Sequence, residues 1–588
     1  MDLPHKGYSS ERNVQILVAL LKAYGVRWVV ASPGATNVTF VWSVQRDPFF
    51  HLISAVDERH GAYLACGLAA ETGEAVVLTC TGATASRNYL PALTEAYYRK
   101  LPILAVTSSQ DFSRIGNLVP QVIDRRTPPR DTVRYATVVA IPRDETAVRA
   151  CELEVNRALV ELWRHGGGPV HINLETHYSR AFDCFTLPPV RKIDHLTLAR
   201  QTAWPELRPD QRVAVWVGNH RPIAAGSALE AFVRAFEAVV FVDHTSGYAG
   251  PGAVHASLLL TQGGFREAFP ALQPPEVLIH IGEVSGDYPA WVVPREQTQV
   301  WRVSEDGELR DLFGKLTAVF EMPEEHFFRH YAQGLEAKPL HQAEAWQAAV
   351  ETVRAQIPEL PFSNPWIAQQ LSQRLPAGSR LHLGILNSLR SWNLFPVPEG
   401  VLGASNTGGF GIDGCLSTLI GASLASPERL FFLVIGDLAF FYDLNALGNR
   451  ALGKNVRILL VNNAAGGEFH IYNHPGAAFG EASGPFIAAD GHYGNHSRAL
   501  VRHYAEDLGL RYLAAEDKAS LESALETFLA PAAEQSMVLE CFTKVQDESD
   551  AQELLNTLYP ASGPSAARRL ASAVLPHGVK SALKRVLK

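Results

Sequence analysis

Short, continuous apolar runs that end in glycine or polar residues alternate with helix-like spacing along most of the chain. From Asn13 to about Pro169 the runs VRWVVASPG, HLISAV, AVVLTCTG and LPILAVTSSQ are separated by helical stretches, one beginning at about Asp57, and GGPVHINLE closes the series. Apolar runs joined by helices predict βαβ units and a parallel sheet buried on both faces. The Pro-rich, charged segment LPPVRKIDHLTLARQTAWPELRPD has no clear period and reads as a linker. A second block carries RVAVWVGNH, AVVFVDH, VLIHIGEV and TQVWRVSE. A third begins with a helix at Pro365 and contains RLHLGIL, two runs between 431 and 462, and SMVLECF. The expected fold class is α/β: three doubly wound parallel-sheet domains over residues 1–185, 186–345 and 346–558. Residues 559–588 form a basic tail in which Val579, Leu583, Val586 and Leu587 share a helical face. That tail is either solvated or in weak contact with an anionic membrane surface or a partner.

Composition narrows the function. At 588 residues the chain is too long for one core, and its net charge of −8 argues against a nucleic-acid surface. Six cysteines without CxxC spacing fit reduced thiols in a cytoplasmic protein, and disfavour a disulfide framework or a zinc site. The N-terminal MDLPHKGYSSERN lacks an apolar core, and no window approaches about 18 uninterrupted apolar residues. A soluble cytoplasmic protein is expected.

Two of the buried runs in the third block end in Gly436-Asp437 and Asn462-Asn463, with Asp437 and Asn463 26 positions apart. Ligands in parallel α/β sheets bind beyond the carboxyl ends of the strands. One carboxylate and one amide oxygen suit magnesium, which completes its octahedron with a backbone carbonyl, water and phosphates. The plainer alternative is that both pairs are ordinary loop residues. Asp57-Glu58 lies where a strand gives way to a helix, and an acid there can serve simply as a partner of the helix dipole.

Taken in order, SPG at 32–34, DER at 57–59, NYLPALTEAYY at 88–98, PQVID at 120–124, SNTGGFGIDGCLST at 405–418, GDLAFFYDLNAL at 436–447 and NNAAGGEF at 462–469 form a set. That set resembles the thiamine diphosphate enzymes, and most of all the 2-succinyl-5-enolpyruvyl-6-hydroxy-3-cyclohexene-1-carboxylate synthase family of the menaquinone pathway. The resemblance covers about residues 10–550. It implies pyrimidine-binding, middle and diphosphate-binding domains in chain order; the middle one has VAVWVGNHRPIAAG in place of a GxGxxG loop after its first strand, so no bound dinucleotide is expected there. It also implies roles for single residues. Glu58 hydrogen-bonds N1′ of the aminopyrimidine, and Gln121 is an active-site glutamine. Asp437, Asn463 and the carbonyl of Ala465 bind Mg2+, and Ile412 holds the cofactor bent. Ser405, Asn406, Gly411, Gly436, Leu438 and Phe469 complete the cofactor contacts. Because Glu58 and the metal motif lie in different blocks, family enzymes pair them across a subunit interface, so a homodimer or homotetramer is implied. The chemistry implied is decarboxylation of a 2-oxo acid, with the resulting enamine added to an acceptor carbonyl or alkene.

The sequence departs from that family where anionic substrates are held. Thr36 and Thr407 stand in the places of two arginines, and Trp392 in that of a third, with Arg390 nearby. A basic pair of the middle block falls near SGDYP at 285–289. Each buried charge pair left unpartnered costs roughly 2 to 5 kcal/mol, so a different, less anionic donor or acceptor is expected. Glu468 occupies a position that is apolar in the family; it is either a general acid or base, or it turns to solvent or pairs with His470, His474 or an arginine. The alternatives are the genuine synthase, a simple decarboxylase, or a non-catalytic paralogue.

Overall fold

The computed structural model describes residues 7–192, 204–286, 289, 292–308, 310–492, 497–532 and 534–561. Residues 562–588 of the basic tail, much of the linker and part of SGDYP lie outside these residues. Three six-stranded sheets follow one another along the chain, and every pairing between their named strands is parallel.

The first sheet comprises β1 (Trp28–Ala31), β2 (His51–Ser54), β3 (Val76–Thr81), β4 (Ile103–Ser109), β5 (Tyr135–Val139) and β6 (Val170–Glu175), in the order 2-1-3-4-6-5. The second holds β7 (Val213–Val217), β8 (Val239–Phe241), β9 (Ala253–Val254), β10 (Val277–Ile281), β11 (Gln299–Val303) and β12 (Leu316–Phe320), in the order 12-11-10-7-8-9. The third is built from β13 (Arg380–Leu383), β14 (Leu402–Ala404), β15 (Phe431–Gly436), β16 (Val456–Asn462), β17 (Arg511–Ala515) and β18 (Met537–Phe542), in the order 14-13-15-16-18-17. Counted within their own blocks, the first and third sheets have the same strand order. The expected α/β class with three parallel sheets is what the chain adopts. Residues of β3, β4, β7, β10 and β16 are buried almost throughout, as strands covered on both faces must be.

The first and third blocks share one apolar core. Helix Glu58–Thr72 crosses helix Cys415–Ala425, with Leu64, Ala65 and Leu68 in the same cluster as Leu416, Leu419 and Ile420. The crossing is close because both helices carry glycine at the contact. A Cβ on Gly67 would stand 2.0 Å from the Thr418 carbonyl oxygen, and one on Gly421 2.0 Å from that of Leu64. A separate core joins the second and third blocks through Trp216, Trp346, Leu389 and Trp392. All six cysteines are unpaired. Among the described residues no helix is long and apolar enough to cross a membrane.

Candidate active site

β15 and β16 are neighbours, and their register sets Gly436 opposite Val461. Asp437 and Asn463 therefore leave adjacent strands at the same end of the sheet. Asp437 is buried and accepts from its neighbour's N–H, Leu438 N to Oδ1, at 2.9 Å. Burial pushes its carboxyl up to about 7, against the opposing pull of the N–H groups of Leu438, Ala464 and Ala465. Those two alanines tie Asp437 to the turn after β16, where Ala464 has φ +69° and Asn463 Oδ1 accepts from Ala465 N at 3.3 Å. Asp437, Asn463 and Ala465 are thus brought together. A buried carboxylate without a cation is the group whose ionisation a metal would stabilise. The set contains neither His nor Cys and offers only oxygens, the ligand type that suits a hard cation.

Beside it, the loop carrying Ser405, Asn406, Gly411 and Ile412 runs from β14 to helix Cys415–Ala425. Ser405 Oγ is buried with no hydrogen-bond partner, while Asn406 donates to Thr418 Oγ1 at 3.1 Å. Ile412 is half-buried against the core shared with the first sheet. Gly436 has open space where a side chain would project, and Phe469 packs edge-on against His474.

Glu58 is the first residue of helix Glu58–Thr72, whose N-cap Asp57 accepts from His60 N at 3.0 Å. The Glu58 carboxylate is half-buried and accepts from Asn88 Nδ2 at 3.3 Å. Its neighbours are bolted to the segment that follows Asp437 in the same chain. Asn445 donates to Asp57 at 2.9 Å, and Arg59 donates to the Tyr442 carbonyl at 2.8 Å. Asn449 donates to His60 Nε2 at 2.9 Å, which leaves Nδ1 as donor to Ser417 Oγ at 2.7 Å and that hydroxyl as donor to Asp443 at 2.7 Å. Burial pushes His60 down to about 4, in keeping with this neutral tautomer. A cavity of about 630 Å³ over β1 and β2 is lined by Ser32, Pro33, Gly34, Trp42, Ile53 and, from the third block, Arg450.

Gln121 lies exposed, at φ +65°, in the long loop before β5. Glu468 is paired, with Arg390 Nη1 at 2.6 Å. The three positions at which the resemblance leads one to expect arginine are all turned inward. Thr36 donates to the Ser108 carbonyl at 2.8 Å, Thr407 accepts from Asn219 of the middle block at 2.9 Å, and Trp392 donates to Asn364 at 3.2 Å.

Sequence reasoning missed Asn88, Glu95 and Arg125. Glu95, buried, accepts from Gly409 N at 2.6 Å and so holds the cofactor loop from the first block. Arg125, 3% exposed, donates to Thr107 and Asn173, and its Nη1 has no partner. Asn88 and Glu95 lie within NYLPALTEAYY and Arg125 directly follows PQVID, and those two motifs were the available signal.

Residues 12–127 match the family described as Thiamine pyrophosphate enzyme, N-terminal TPP binding domain. The 2-succinyl-5-enolpyruvyl-6-hydroxy-3-cyclohexene-1-carboxylate synthase of Phocaeicola vulgatus is 32% identical over 571 residues, which cover 92% of this chain and 97% of that protein. The synthase of the same name from Bacteroides thetaiotaomicron is 31% identical over 551 residues, covering 91% and 96%. The Rhodococcus jostii RHA1 thiamine diphosphate-dependent 4-hydroxybenzoylformate decarboxylase superposes with a TM-score of 0.64 at 18% identity, over 90% of this chain and 99% of that one, a likeness of fold. Identity of this level along nearly the full length of both chains means common descent, and the chain belongs to the thiamine diphosphate-dependent 2-succinyl-5-enolpyruvyl-6-hydroxy-3-cyclohexene-1-carboxylate synthase family.

Proposed function

We propose that this enzyme is a thiamine diphosphate- and Mg2+-dependent 2-oxo acid decarboxylase and carboligase whose substrates differ from those of the synthases it resembles. Thiamine diphosphate supplies a nucleophilic carbon and an electron sink for the loss of carbon dioxide. The residues present fit it. Asp437, Asn463 and the Ala465 carbonyl would hold Mg2+ and with it the diphosphate, and the buried Ser405 hydroxyl has no hydrogen-bond partner within the protein. Glu58 would hold the proton at N1′ of the aminopyrimidine, oriented by the Asn88 amide. Ile412 would support the ring system from the shared core, with Asn406, Gly411, Gly436, Leu438 and Phe469 closing around it.

A homodimer or larger homo-oligomer completes the reading. Val56, two residues from Glu58, is 79% exposed, and Phe486, in the loop beyond Glu468, is 95% exposed. Apolar surface beside a site of this kind is what a second copy would cover. Gln121, in its exposed loop, would join the site only on that assembly.

The observation that carries the change of substrate is the inward turn of Thr36, Thr407 and Trp392. None of them offers a charge to a dianion, and each is engaged within the protein. The second reading, a genuine synthase, is favoured by family membership and by Arg125, a buried guanidinium with no carboxylate among its hydrogen-bond partners. Carbon dioxide release screened across 2-oxo acids, alone and with aldehyde or ketone acceptors, separates the two. A neutral-chain donor is expected to lead; turnover of 2-oxoglutarate with isochorismate at an ordinary enzymatic rate would overturn the change of substrate.

A further inference from the structure

Helix Asn387–Trp392, which follows β13, and the turn Gly467–His470, which follows β16, meet over the carboxyl end of the third sheet. Arg390 Nη1 donates to Glu468 Oε1 at 2.6 Å, with the two side chains 31% and 17% exposed. With its amide in the orientation that satisfies its neighbours, Asn387 donates to Glu468 Oε2 at 2.6 Å and accepts from Glu468 N at 3.1 Å. The pair stands next to Asn463. A Cβ on Gly467 would lie 2.8 Å from Asn463 Nδ2. An arginine therefore reaches the mouth of the site already neutralised. Both oxygens of its partner are engaged, which is a poor arrangement for a group that must trade protons with substrate.

We propose that Glu468 determines specificity: by cancelling Arg390 it denies a counter-charge to a second carboxylate, and so selects 2-oxo acids whose far end is uncharged. The proposal rests on the reading of this site as one that decarboxylates 2-oxo acids. A donor with a distal carboxylate would have to displace Glu468 from Arg390, or lie beside it as a like charge, and both are unfavourable. A neutral chain meets no such opposition.

The test uses the full chain with thiamine diphosphate and Mg2+, as wild type, as Glu468→Gln and as the double variant Arg390→Met/Glu468→Gln. Carbon dioxide release is followed from 2-oxoglutarate and from 2-oxopentanoate, which has a methyl group in place of the distal carboxylate. Glu468→Gln should raise the ratio of kcat/KM for 2-oxoglutarate over 2-oxopentanoate by about tenfold, or about 1.4 kcal/mol, and the double variant should return the ratio to that of wild type. Binding of 2-oxoglutarate to the cofactor-free protein, measured by calorimetry, should tighten in Glu468→Gln and weaken again in the double variant. An unchanged ratio with both turnovers reduced alike would overturn the proposal in favour of an acid–base role. A wild-type preference for 2-oxoglutarate would also overturn it. If no 2-oxo acid releases carbon dioxide with any of the three proteins, the reading of the site fails and the proposal falls with it.

Discussion

The first and third sheets share a strand order and yet present their carboxylates in opposite ways. Glu58 follows β2, an edge strand, and stands half-buried at the start of a 15-residue helix with one amide for company. Asp437 follows β15, an inner strand, and is 6% exposed, its carboxyl raised by burial. An acid beyond an edge strand remains accessible to accept a hydrogen bond, whereas one beyond an inner strand is desolvated until a cation reaches it. One topology, used twice, thus offers a group that can activate and a group that can hold.

The largest effect is expected at the holding end. Asp437→Ala should weaken Mg2+-dependent cofactor binding by about 100-fold or more, since even partners behind a metal ligand are worth roughly 10- to 100-fold. Titration calorimetry with and without Mg2+ reads this directly, and unchanged binding would remove Asp437 from the metal site.

Next is the joint between the two sheets. Gly421→Ala places a methyl 2.0 Å from a backbone oxygen, where no side chain can swing away, and should destabilise the chain by about 1 to 3 kcal/mol in denaturant unfolding. If stability were unaltered, the close crossing of the two helices would be wrong. Asp443→Ala should cost about 1 to 3 kcal/mol as well, because it strands both the N–H and the hydroxyl of Ser417. Since Ser417 holds His60, this variant should also reduce turnover more than cofactor affinity.

The smallest effect at neutral pH is one that grows on acidification. Burial pushes His171 in β6 and His382 in β13 down to about 3, so the native chain leaves them neutral while the unfolded chain protonates them near the ordinary histidine value of 6.5. The unfolded state then binds more protons between those values. Stability should fall as pH is lowered from about 6.5 towards 3, and His171→Gln and His382→Gln should each flatten that fall in thermal melts.

Much of this was legible in the sequence, for definite reasons. Buried strands such as β4 and β16 are continuous apolar runs, and polar residues at their ends mark the mouth of a sheet. The strands β5, β9, β12, β14 and β17 were not anticipated. All five are edge strands whose residues are largely half-buried or exposed, so no unbroken apolar run announces them. Asp437 and Asn463 could be singled out from residue type and position at strand ends, and the fold does set them on adjacent strands, whereas Glu58 was singled out only through the family resemblance. The pairing of Glu468 with Arg390, 78 positions apart, was open in the sequence among several partners, because only the fold brings β13 and β16 side by side with β15. Arg125 and Glu95 were missed for the same reason, their partners lying far along the chain.

The division between an activating and a holding carboxylate is tested most directly by proton exchange at C2 of bound thiamine diphosphate, compared in wild type and Glu58→Gln by NMR after acid quench. Glu58→Gln is expected to bind the cofactor with Mg2+ as wild type does, yet to lose exchange by about 100-fold or more. Exchange at the wild-type rate in Glu58→Gln, with the cofactor bound, would contradict the assignment.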